Sequence, residues 1–79
     1  MEQKLRRDRN MGANLRRLRE ENELSQEKLC VQLQLYSCDI MRSTYAKYES
    51  CELNIPISVI VALKKIYKCS YDKFFEGLE

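Results

Sequence analysis

The chain contains no histidine. That removes Ser-His-Asp and Cys-His catalysis at once, because each needs an imidazole to take the proton from the nucleophile. Glycine is nearly as scarce. Gly12 and Gly77 are the only two in 79 residues, so no glycine-rich loop exists to cradle a phosphate. Long apolar runs are missing too: the longest, Val59 to Leu63, is far too short to cross a bilayer. No apolar stretch follows the charges of Met1 to Arg7, so no secretory signal is expected and a cytoplasmic location is. With the acids spread over helix surfaces, neither an enzyme nor a bound cofactor is expected.

Four cysteines are present, at positions 30, 38, 51 and 69. Their gaps of 8, 13 and 18 residues contain no CxxC pair, and no histidine is available to complete a mixed zinc site. A chain without an export signal keeps its thiols reduced. The cysteines are therefore read as small hydrophobes, with no metal.

What is there fits one small soluble domain, 44% hydrophobic and 33% charged. The net charge of +2 hides an asymmetry. Residues 1–19 carry seven basic residues against Glu2 and Asp8, residues 20–29 carry four glutamates against Lys28, and the remainder is balanced. A basic N-terminal segment on a nearly neutral body suits phosphate contact, and equally suits a solvated helix face.

The pattern predicts five helices and no strand. Residues 1–10 read either as a basic arm or as an extension of the first helix, with the domain proper over 11–79. Asn10 is a candidate cap for a helix that turns Ala13, Leu15, Leu18 and Met11 inward and fades near Asn22. Ser25 caps a second helix, with Glu27 in its first turn and Leu29, Cys30, Leu33 and Leu35 on its buried side. Residues 36–40 form a connection in which Ser37 or Asp39 offers a cap. A third helix covers about 41–50, with Ile40, Tyr45 and Tyr48 toward the core. Pro56 suits the start of a fourth helix over 57–68, and Ser70 caps a short fifth containing Tyr71, Phe74 and Phe75.

Four segments, in order, resemble the helix-turn-helix of the phage repressor, Cro and Xre family. They are Gly12 to Arg19, Leu24 to Leu29, Arg42 to Glu49, and Ser70 to Phe75. The resemblance implies an all-α, five-helix repressor-like bundle whose third helix docks in the major groove of double-stranded DNA, with the second helix across the backbone. Carried over position by position, it implies that Arg42, Ser43 and Lys47 contact bases, and that Gln26 and Thr44 contact phosphates. It also implies an internal ion pair between Arg19 and Glu49.

Three departures stand out. The stretch from Gln26 to Glu49 is longer than the family's spacing, so the turn between helices two and three is extended. The extra residues lengthen the second helix, widen the turn or add a small loop. Met41 replaces the usual serine cap of the reading helix, which leaves Asp39 to take that role. Cys51 stands where glycine is usual, at a position that favours a left-handed backbone.

The fourth helix is apolar nearly all round. Ile57, Ile60, Leu63, Ile66 and Tyr67 form one core stripe, while Val59 and Val61 are left as a candidate homodimer interface. Core filling accounts for the same residues equally well. Two functions follow: a sequence-specific transcriptional regulator acting as a repressor on a palindromic operator, or an antitoxin-like protein-interaction module on the same fold.

Overall fold

The computed structural model describes the backbone of residues 9–78 and the side chains of residues 11–78. The described residues form four α-helices: α1 (Arg9–Glu21), α2 (Gln26–Gln34), α3 (Arg42–Glu49) and α4 (Ile57–Tyr67). Among the described residues one 3-10 helix, Tyr71–Phe75, follows α4, and no strand occurs. The expected fifth α-helix is therefore corrected to a 3-10 turn. Five residues are too few to sustain an α-helix, and the tighter 3-10 form is the one used for short pieces. Of the segment 1–10, residues 1–8 lie outside the described residues. Asn10 sits inside α1 rather than capping it.

Leu15, Leu18, Leu29, Leu33, Tyr45 and Leu63 are almost wholly buried and form the centre of the core. They come from all four helices: α1 packs on α3 and on the 3-10 helix, while α2 packs on α3 and α4. Ala13, expected inward, is exposed, and Asn14 takes its place in the core. This buried amide is fully used. Its Nδ2 donates to the carbonyls of Phe74 (3.0 Å) and Glu76 (2.9 Å), and its Oδ1 accepts from Arg17 (2.7 Å). Asn14 thus supplies donors to the otherwise orphaned carbonyls at the end of the 3-10 helix.

Gly12 explains how α1 and α3 come so close. A Cβ there would collide with the Glu49 carbonyl and stand 2.8 Å from the Cys51 Sγ. Only glycine permits this approach.

The stripe on α4 is rotated from expectation. Ile57 is 77% exposed, whereas Val59, Ile60, Ala62, Leu63 and Tyr67 are buried. Periodicity gives no phase when nearly every position is apolar, so packing against α2 chose the face. Leu35 is likewise exposed, because α2 ends one residue earlier. Tyr71 and Phe75 are also exposed, which leaves Phe74 as the buried residue of the 3-10 helix.

Scarcity of glycine leaves its mark on every helix end. Glu23, Ser37, Cys51 and Lys68 each have positive φ, between 53 and 66°. In all four cases the next residue closes the helix in a six-residue loop: Leu24 donates to Arg19, Cys38 to Leu33, Glu52 to Lys47 and Cys69 to Lys64. All four α-helices stop on a left-handed residue that is not glycine, and Cys51 is the one the sequence singled out.

Candidate nucleic-acid interface

Ser25 opens α2 in extended conformation, and its Oγ accepts from the Lys28 N–H at 3.0 Å. This leaves Gln26 as the first helical residue, half-buried and directed at α3. After Gln34 the chain turns left-handed at Ser37 and runs irregularly to Met41. The added residues thus widen the turn and leave α2 at nine residues. Ile40 packs against the core, and the Cys38 thiol lies 3.8 Å from the Ser58 carbonyl. Two pins hold the widened turn to the body.

Met41 occupies the cap position of α3 and makes no side-chain cap. Asp39 does not substitute for it. Its carboxylate instead reaches back to accept from Gln34 Nε2 at 3.4 Å. Ser70 likewise precedes the 3-10 helix without a side-chain cap. Among the described residues no side chain caps the first N–H groups of α3.

On α3, Tyr45 and Tyr48 are buried, while Arg42, Ser43 and Lys47 are exposed and Thr44 is half-buried. The helix presents a basic, hydrogen-bonding edge over an aromatic base. Its far end is fixed by Glu49. The Arg19 guanidinium grips both oxygens of that carboxylate along one edge, Nε to Oε2 at 2.7 Å and Nη2 to Oε1 at 3.1 Å. Arg19 also donates to the Leu24 carbonyl at 2.9 Å. The two side chains are only 11% and 7% exposed.

Burial pushes the Glu49 carboxyl up, but the hydrogen bonds, chiefly from Arg19, outweigh it and hold the group below the usual carboxylate range. The same hydrogen bond raises Arg19 further against its burial. Tyr45 and Tyr67 are pushed well above the usual phenol range, mainly by burial. Their hydroxyls are the buried side-chain polar atoms left without a hydrogen-bond partner among the described residues. Tyr45 helps stabilise the carboxylate only from beyond direct hydrogen-bond reach.

Gln26 has a role that the sequence did not disclose. Its Nε2 donates to Glu49 Oε1 at 3.1 Å, and its Oε1 accepts from Arg42 Nη1 at 3.4 Å. The amide therefore stands between the ion pair and the exposed arginine. A glutamine at the first position of a capped helix, one helix away from a buried carboxylate, was the available signal.

The candidate dimer residues part company. Val59 is 4% exposed and belongs to the core, so it is not available to a second molecule; Val61 is half-buried. The larger apolar exposure lies at the other end of α3. There Tyr48, Leu53, Ile55, Ile57, Phe75 and neighbouring side chains line an open groove of about 460 Å³. Among the described residues no group of three or more cysteines and acids is gathered to hold a metal ion, and no helix is long and apolar enough to cross a membrane.

The profile of a helix-turn-helix domain matches residues 10–73, from the first turn of α1 to the 3-10 helix. No curated protein and no solved structure gives a significant match to the chain. The matched span contains α2, the widened turn and α3 together with the helices that hold them. The chain belongs to the helix-turn-helix domain family, whose fold binds DNA.

Proposed function

We propose that this chain is a sequence-specific transcriptional repressor of the Cro and Xre kind, which binds a palindromic operator as a homodimer and acts by excluding polymerase. The observation that carries this reading is the outward edge of α3. Arg42, Ser43 and Lys47 are exposed on a helix whose opposite side is buried and whose far end is clamped by Arg19 and Glu49. In this reading Arg42 grips a guanine at two acceptors, a contact that discriminates by about 1–3 kcal/mol. Ser43 and Lys47 meet neighbouring base edges. Gln26 and Thr44 contact phosphates, and the free N–H groups at the start of α2 add to the attraction. The protein acts in the cytoplasm, with no catalytic step and no cofactor.

A second copy follows from size. An α3 of eight residues is about 12 Å long and reaches only a few base pairs. Two copies on half-sites about 34 Å apart double the sequence read. With Val59 in the core, the apolar surface on and beside α4 that could serve that seam lies at Val61 and around Leu53, Ile57 and Phe75.

The same groove favours a second reading, an antitoxin-like module that binds another protein. Selection of duplexes from a random DNA pool separates the two. The repressor reading expects one enriched site with two-fold symmetry, whose affinity falls steeply with added salt. Weak and equal retention of every duplex refutes it.

A further inference from the structure

We infer that Tyr45, Tyr67 and Glu49 form a buried hydration site, which holds one water molecule and through it ties α4 to the Arg19–Glu49 clamp. The inference does not depend on what the exposed edge of α3 binds. Tyr45 and Glu49 stand four residues apart on α3, so their side chains leave the same face of the helix. Tyr67 is the last residue of α4. All three are deeply buried: Tyr45 is 0% exposed, Tyr67 7% and the Glu49 side chain 7%. Each phenol lies near enough to the other and to the carboxylate to feel their charge. Yet no group among the described residues completes a hydrogen bond to either hydroxyl. The rings are not free to swing the hydroxyls toward new partners. Tyr45 meets Tyr48 edge to face with centroids 6.1 Å apart, and Tyr67 stacks on Phe74 at 6.5 Å.

The chemistry of the surroundings selects the occupant. A carboxylate offers about four acceptor positions, and at Glu49 Oε1 accepts from Arg19 and Gln26 while Oε2 accepts from Arg19 alone. One acceptor position therefore remains, on Oε2. Burial keeps both phenols protonated, so each brings an O–H to donate. Water answers this set with its own lone pairs and one of its O–H groups. It accepts from Tyr45 and Tyr67 and donates to Glu49, and about three such bonds are usual for a buried water. A cation is disfavoured because Arg19 already balances the carboxylate, and an anion because Glu49 repels it. Through this molecule α4, which packs chiefly on α2, gains a polar tie to α3. Side chains of all four helices (Arg19, Gln26, Tyr45 and Tyr67) then converge on one carboxylate.

Two measurements on the full chain test this. A crystal structure fine enough to show ordered water is expected to place one molecule within hydrogen-bond distance of all three groups. A molecule that misses any of them, direct contact of the Tyr45 hydroxyl with Glu49, or no density between the groups overturns the inference. The second measurement is a melting cycle with Tyr45→Phe, Tyr67→Phe and the double variant, which keep the rings and remove only hydroxyls. With a shared water, each single change leaves a buried partner unmet and is expected to lower the melting temperature by about 4 °C or more. The double variant is expected to lose less than the two losses added, because both changes act on the same water. Hydroxyls that have no partner at all give the opposite sign, since removing them relieves a buried unpaired group. Raised melting temperatures, or shifts that simply add, overturn the shared site.

Discussion

Glu23, Ser37, Cys51 and Lys68 hold a backbone conformation that costs an L-residue about 1–2 kcal/mol relative to the right-handed one. Glycine carries no such cost, and this chain has glycine at none of its α-helix exits. Glu23 is exposed, so replacing it removes little packing. Glu23→Gly is expected to stabilise the fold by about 0.5–1 kcal/mol, a rise of several degrees in melting temperature for a domain of this size. Cys51→Gly is expected to shift the same way, by less, because Cys51 also packs beside Gly12. Melting of both variants by circular dichroism checks this, and a lowered midpoint in Glu23→Gly contradicts it. Cys51 was legible in the sequence because a familiar glycine position held another residue. Glu23, Ser37 and Lys68 were not, since nothing in their identity announces a left-handed backbone. Asn14 was hidden for a different reason. Its partners Phe74 and Glu76 lie some sixty residues away, and no local pattern records a contact across that distance.

At the scale of elements, α3 is held at its end by one carboxylate. Removing one partner of such a buried pair costs about 3–5 kcal/mol, since the other charge is left without compensation. The pH dependence follows from the depressed carboxyl of Glu49. Its folded value lies below the ordinary 4.5, so its contribution is complete above that pH and is lost as pH falls through the folded value. Acid titration of stability is expected to show a fall below about pH 4.5 in the wild type that Glu49→Gln lacks in part. Parallel curves for the two proteins would contradict the assignment. The elements themselves were largely legible. Ser25 announced α2, Pro56 the start of α4, and the spacing of Leu29 and Leu33 gave the buried side of α2. The phase of α4 was not legible, because Ile57, Val59 and Val61 are interchangeable to any periodicity argument. The role of Asp39 was misread because a cap depends on where one side chain points, and Gln34 claims that carboxylate first.

Across the whole molecule, the two ends of α3 do different work. Its beginning presents Arg42 and Ser43 to solvent without a side-chain cap, while its end meets the apolar groove around Leu53, Ile57 and Phe75. The repressor proposed above would use the first surface for DNA and the second for another copy of the chain. The structure leaves Arg42, Ser43 and Lys47 exposed on the edge that the resemblance proposes as the reading surface. That Gln26 joins this edge to the Arg19–Glu49 clamp emerged only once the three helices were placed together. The most direct measurement is a titration of the isotope-labelled chain with its selected duplex, followed residue by residue in backbone amide spectra. The account predicts the largest shifts at Gln26 and across Arg42 to Lys47. Shifts confined to Leu53, Ile57 and Phe75, with α3 silent from Arg42 to Lys47, would contradict it.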